Sequence, residues 1–422
     1  MSATRSPLPS AARAGLAVSL FAMGTSTFTT LGLGALAPYL RASLHLSTFE
    51  LGALPALVFL GALITSVRAG RLTDRFGAGR ALTASQLGVA LGVTIAALSP
   101  DRAVFLAGVG IAGLGYGAVN PSTTVLSTSL VPRSRRGLFL SVKQAGVTVG
   151  GLVAGIALPR LADALGWRVA LIAPIALLVV SALVGVWVAG RERTGWFDAP
   201  HGEGAGAALV RVRVPGPAAT AAFGFLSSGV QLSVTGYLAV YLVDTQAFSR
   251  PTAGLALSVA FGAGCLGRIS WGSISDRWFS THASTLVLST LGSAVGIAAI
   301  SAGARGPALW VVVALVGFCS IGWNGVYMAL LTDRAGDAKL GRATGRGLIF
   351  LYLGVVALPP LLGVLRDQAH SWPLTWAVAG GLVAAAAAIL ALGPRIVISV
   401  RTGERAPRAP GTVAAEPMRA PG

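Results

Sequence analysis

The chain has 422 residues, of which 54% are hydrophobic and only 11% charged, with a mean hydropathy of +0.75. A soluble domain carries roughly a quarter of its residues as charges, so a soluble globular fold is excluded. The formal net charge of +18 would suit a nucleic-acid binder, but the basic residues flank long apolar runs instead of forming one patch, which removes nucleic acid as a partner.

Windows of about 20 apolar residues, the length that crosses a hydrocarbon core of about 30 Å as helix, predict twelve spans. In chain order they lie near residues 15–39, 50–69, 81–99, 104–128, 138–161, 169–190, 218–242, 253–271, 284–303, 308–331, 345–365 and 374–393. The first is too long for a signal-peptide core and is followed by no cleavage site, so it reads as a retained helix. Residues 191–217, rich in Gly and charge, read as a linker, and residues 395–422, rich in Pro and Arg without hydrophobic period, read as a disordered tail. The predicted architecture is an all-α polytopic membrane protein: a six-helix bundle over residues 1–190, the linker, and a second bundle over residues 218–394.

Assigning each Lys and Arg to its nearer face leaves seven opposite the N-terminus, Arg41, Arg102, Arg160, Arg168, Arg250, Arg305 and Arg366, and the other 25 on its side. By the positive-inside rule both termini and the linker are expected in the cytoplasm. Thirty Arg against two Lys suggest a GC-rich genome, hence a bacterial plasma membrane. Cys265 and Cys319 lack CxxC spacing, and His45, His201, His282 and His370 are scattered, so no disulfide frame, metal site or cofactor is signalled.

One phrase occurs twice, Gly70-Arg-Leu-Thr-Asp74-Arg75 and Gly272-Ser-Ile-Ser-Asp276-Arg277, each closing an apolar run. Gly52 and Phe59 recur at the same spacing as Gly254 and Phe261, and Pro159 recurs as Pro359, which predicts two related halves. With Gly77 and Arg80 completing the first copy, this chain resembles the major facilitator superfamily over all twelve spans. It departs from the family pattern at Ala78 and Gly79, where basic residues usually follow the glycine, and at Phe279 in the second copy. The resemblance implies a facilitator fold of two pseudo-symmetric bundles that work by alternating access. It also implies that Asp74 approaches the cytoplasmic start of span 11 in one conformation. A carboxylate at a helix N-terminus gains about 0.3–2 kcal/mol, enough to bias two states.

Span 5 carries Gly137, Gly146, Gly150, Gly151, Ala154 and Gly155, similar to the family's glycine-rich antiporter motif with its proline replaced; close helix packing is the plainer reading. The span-4 Arg-x-x-Gln-Gly signature of proton-coupled exporters is absent. Lys143-Gln144-x-Gly146, Gly166-Trp167-Arg168 and Gly322-Trp323-Asn324-Gly325 look like cyanate-permease-like members.

Ionisable groups inside membrane helices are costly and are the first candidates for function. No Asp or Glu falls in the middle third of a span; the intrahelical charges are Lys143, about five residues into span 5, Arg268, about one turn from the end of span 8, Arg346 and Arg68. That sign points to a small organic or inorganic anion as substrate. Arg268, four residues before Gly272, also resembles the substrate-carboxylate arginine of monocarboxylate transporters.

By the resemblance, spans 1, 4, 7 and 10 line the cavity. That adds Thr25 to Thr30, Tyr116, Asn120, Gln231, Tyr237, Trp323, Asn324 and Tyr327 as candidates, each of which could instead satisfy a neighbouring helix. Expected partners are a small solute, the bilayer and, where transport is coupled, a proton, with the chain a monomer. The alternative is a proton-coupled exporter of drugs or natural products. A polytopic enzyme or sensor is the remote reading, since no converging catalytic groups, no soluble effector domain and no Walker A sequence occur; Gly108-x-Gly110-x-x-Gly113 lies inside a span and is a chance match.

Overall fold

The computed structural model describes residues 10–131, 133–194, 208–278, 281–335 and 340–402. Among them are twelve helical segments long and apolar enough to cross a membrane. The first bundle contains α1 (Ser10–Thr30) and α2 (Gly32–Leu44), α3 (Thr48–Phe76), α4 (Ala78–Ala97), α5 (Arg102–Tyr116) and α6 (Val119–Thr128), α7 (Arg133–Leu165) and α8 (Trp167–Glu192). The second contains α9 (Pro217–Gln246), α10 (Arg250–Trp278), α11 (His282–Ser301), α12 (Gly306–Ser320) and α13 (Asn324–Ala335), α14 (Leu340–Ala369) and α15 (Trp372–Leu392). Three spans, the first, fourth and tenth, are thus each broken in mid-membrane. Such breaks free backbone groups, and membrane proteins tolerate them where protein or a cavity satisfies those groups.

Small residues set the helix spacing. A Cβ on Gly79 would stand 2.8 Å from the Gly185 carbonyl oxygen, and one on Gly92 would stand 2.6 Å from that of Gly108, so α4 lies nearly backbone to backbone on α8 and α5. Large apolar side chains such as Leu91, Leu183 and Val295 face outward, where lipid is the matching solvent.

The bundles meet along two antiparallel seams, α3 on α14 and α7 on α10. At one end of the seams, here the far face, a Cβ on Gly155 would stand 2.7 Å from the Gly254 carbonyl oxygen. Ser258 Oγ nearby donates to the Leu152 carbonyl at 2.8 Å. The opposite end, the linker face, carries the end of α8 and the start of α9.

The first residues of the expected tail form a strand. Arg395–Thr402 forms β2, antiparallel to β1 (Ala208–Pro215), with Val212 opposite Ile398. Val210, Val212 and Val214 of β1 alternate with Arg211 and Arg213, and Ile396, Val397 and Ile398 of β2 form a short apolar run, neither long enough for a span-length window to register. Val214 is buried against the second bundle, so the last part of the linker and the start of the tail form a ribbon joined to that bundle. The remaining linker and tail residues lie outside the described residues.

Candidate functional site

Lys143 stands ten residues, about 15 Å, from the start of α7 at Arg133, five residues more than from the start of its apolar window. It is 1% exposed. Nζ donates to Asn120 Oδ1 at 2.7 Å and Thr124 Oγ1 at 2.8 Å on α6, so in this state the side chain turns into the bundle instead of reaching for the interface. Its acceptors are neutral oxygens; among the described residues no carboxylate pairs with it.

From Asn120 the contacts cross to the other bundle. The Asn120 amide is a side-chain hydrogen-bond partner of the Tyr352 hydroxyl on α14. Tyr352 packs edge-on against Phe59 of α3 at 5.3 Å, and Phe59 against Tyr116 of α5 at 6.0 Å. Tyr116 and Arg268 of α10 are electrostatic neighbours, and Arg268 Nε is buried with no hydrogen-bond partner. Arg268 stands ten residues before the end of α10 at Trp278.

The two cations therefore sit at matched depth on facing helices of different bundles. Gly151 packs against the Phe261 ring. Following the antiparallel register from there toward the linker face, eight residues on α7 reach Lys143 and seven on α10 reach Arg268. Phe59 and Tyr352 were not singled out as site residues from sequence. Phe59 was visible only as a repeat match, and Tyr352 carried no signal beyond being an aromatic with a hydroxyl in mid-span.

Other candidates fall elsewhere. Asn324 Nδ2 donates to Gln231 Oε1 at 3.1 Å and to the Ile321 carbonyl at 3.2 Å, which satisfies backbone at the break in the tenth span. Trp323 is buried among Phe223 and Tyr327, each with ring centroids 5.4 Å away, and so packs the second bundle. The hydroxyls of Thr25, Thr27, Thr29 and Thr30 bond carbonyls of their own helix. Gly146 and Gly150 lie against α1, and Gly151 and Gly155 against α10, which is the packing reading of that motif. Gln144 is half-buried, Arg68 is exposed, and the Arg346 side chain lies outside the described residues.

At the linker face, Asp74, Arg75 and Arg80 are exposed and Gly70 has open space around it. Gly77, with φ +89°, turns the chain from α3 into α4. Glu192 at the end of α8 accepts from Ala78 N at 2.9 Å and Gly79 N at 3.1 Å. This accounts physically for two small residues where the family pattern has basic ones: a side chain on Gly79 would strike α8. In the second copy Gly272 also has open space and Arg277 is exposed; the Asp276 side chain and Phe279 lie outside the described residues.

The far face is closed by polar contacts between the bundles. Arg41 of α2 forms an ion pair with Asp244 of α9, whose Oδ2 also accepts from Trp372 Nε1 at 3.1 Å. Asp367 of α14 accepts from Thr48 N at 3.0 Å and Phe49 N at 2.8 Å on α3, and Tyr237 donates to the Thr48 carbonyl at 3.2 Å.

Two six-helix units with interior cations at their seam define a membrane protein of transporter type. The Major Facilitator Superfamily model matches residues 15–346 and, in a second match, 221–416, and the chain belongs to that family. A gentisate transporter of Corynebacterium glutamicum is 32% identical over 148 residues, 34% of this chain and 33% of that protein; the matched part thus spans about a third of this relative's own length. A hexuronate transporter of Bacillus subtilis is 22% identical across 89% of this chain and 92% of its own. A solved bacterial homolog of the human lysosomal transporter Spinster, in an inward-facing and occupied conformation, superposes with a TM-score of 0.70 at 16% identity, over 90% of this chain and 95% of that one.

Proposed function

We propose that this protein is a secondary transporter that moves a small organic anion across the bacterial plasma membrane by alternating access. The observation that carries the reading is the pair Lys143 and Arg268, one on each bundle at equal depth, with neutral or unfilled hydrogen-bond partners and no interior carboxylate opposing them among the described residues. An anion between them would pair with both cations at once, and it would do so best when the bundles close around it. Phe59, Tyr116 and Tyr352 give the same region apolar edges and two hydroxyls, a lining suited to an organic acid more than to a bare inorganic ion. The gentisate and hexuronate transporters among the relatives are named for carboxylates, in keeping with this class.

The linker face is the cytoplasmic one by its excess of basic residues, and the sealed far face with an exposed Asp74 corresponds to an inward-facing state. The gating motif then comprises Gly70, Asp74, Arg75, Gly77 and Arg80, with Gly272, Asp276 and Arg277 as its repeat. In the outward-facing state Asp74 would meet the N-terminal end of α14. A weak-acid substrate could carry its own proton, so coupling needs no buried carboxylate.

The test is the thermal stability of the purified protein against carboxylates, cyanate, nitrate, lipophilic cations and antibiotics, since a ligand stabilises the state it binds. The expected result is a shift from carboxylates that is lost in Lys143→Ala and in Arg268→Ala. Shifts from lipophilic compounds alone would replace this reading with that of an exporter.

A further inference from the structure

The far-face seam between α3 and α14 is closed by a helix cap shared between the two bundles. A helix start leaves four N–H groups without partners in the helix. In α3 all four are satisfied, two locally and two from across the seam. Ser47 N donates to Glu50 Oε2 at 2.8 Å and Glu50 N to Ser47 Oγ at 3.1 Å, a capping box built from α3 itself. Thr48 N and Phe49 N donate to the two oxygens of Asp367.

Asp367 is poorly placed for its own helix. It stands two residues before the end of α14, where a negative charge works against the helix dipole. Its favourable interaction is with the opposite bundle, and only while the far face is shut. Asp74 repeats this arrangement at the other end, two residues before the end of α3, where it is exposed. Because α3 and α14 are antiparallel, the acid at each helix's C-terminal end faces the other's N-terminal end.

The companion seam lacks the device. Aligned on Pro159 and Pro359, Asp163 of α7 matches Gly363, so it falls one turn short of the position of Asp367. It accepts from Tyr39 Oη at 2.7 Å, within the first bundle, and the first turn of α10 uses its own Ser249, which accepts from Thr252 N at 3.3 Å.

We propose that Asp367 is the far-face latch of the transport cycle: it caps α3 to hold that face closed and lets go when the bundles rock, leaving Asp74 to hold the linker face in its turn. The claim concerns the switch and is independent of which solute is carried.

The test uses the full chain in membranes with Cys265 and Cys319 replaced by Ser and a reporter Thr235→Cys, which lines a small inter-bundle cavity with Gly34, Leu51 and Leu54 beneath the far-face seal. Labelling by a membrane-impermeant maleimide from the far side reads the fraction of time that face is open. Asp367→Ala is expected to raise the labelling rate about tenfold, the scale of losing a helix cap. Asp367→Glu, which keeps the charge, should stay near the parent rate, and Asp74→Ala should lower it. Thr48→Pro provides a variant that leaves Asp367 untouched. Proline is favoured at the first helical position, so it removes one donor while keeping α3, and labelling should rise severalfold. Unchanged labelling in both Asp367→Ala and Thr48→Pro, or equal increases in Asp367→Ala and Asp367→Glu, would overturn the proposal.

Discussion

The two ends of the α3–α14 pair carry the same chemistry in opposite conditions. At the far face a carboxylate, an ion pair and a tyrosine hydroxyl all find partners on the other bundle, while at the linker face Asp74 is exposed and a Cβ added to Gly70 would meet nothing within 4 Å. Between them the seam is glycine, aromatic and small polar contact, which accommodates sliding and rocking. On the proposed cycle, the difference assigns the choice between states to a few polar groups at the helix ends, and the ability of a face to shut to close backbone contact.

The largest break in that comparison comes from the backbone. Gly155→Leu puts a side chain into the Gly254 carbonyl, where neither helix can yield cheaply. The cost to the closed far face is expected at about 1–3 kcal/mol or more. Far-side cysteine labelling should then be fast whether or not Asp367 is intact.

Next are the interior cations, which sharpen the comparison by leaving both faces alone. Lys143→Ala and Arg268→Ala each remove a charged donor. If each charge-assisted bond contributes about 1.5–3 kcal/mol, the affinity for an anionic substrate should fall about tenfold to a hundredfold in isothermal titration. The rate of far-side labelling without ligand should stay within about twofold.

Arg41→Ala tests the half-exposed part of the far seal. Its pair with Asp244 is partly solvated, so the loss should stay near or below about 1 kcal/mol and labelling should rise less than with Asp367→Ala. Smallest of all should be Glu192→Gln. It keeps one acceptor for the α4 start, and a drop of a few degrees in melting temperature with unchanged transport would separate this static cap from the switching one.

Much of the fold was legible in the sequence because hydropathy and repetition are local signals. Twelve apolar windows, the duplicated Gly–Asp–Arg phrase and the paired Pro159 and Pro359 are enough to predict two six-helix halves. The windows could not show that spans 1, 4 and 10 are broken, since hydropathy does not record where backbone bonds stop. They also missed β1 and β2, whose apolar stretches are much shorter than a span.

At the candidate site, sequence reasoning singled out Lys143 and Arg268 by charge, and Asn120 as a polar group on a span that the family resemblance places at the cavity. Helices α7 and α10 continue past the apolar windows by several polar residues on the linker side, which hydropathy does not register. Trp323 and the threonines of α1 have chemistry that suits a binding site and geometry that serves packing. The far-face latch was invisible for a different reason: Asp367 and Thr48 are 319 residues apart, and an acid near a helix end looks like an ordinary interfacial charge until the partner helix is in place.

The central claim is that an anion is held between Lys143 and Arg268 while the bundles exchange which face is open. The most direct test is counterflow in proteoliposomes loaded with an unlabelled carboxylate from the stabilising class, following entry of the labelled compound. The account predicts accumulation by the parent protein and its loss in Lys143→Ala and Arg268→Ala, with both variants folded and reconstituted to the same level. Counterflow at the parent rate in both variants would contradict it.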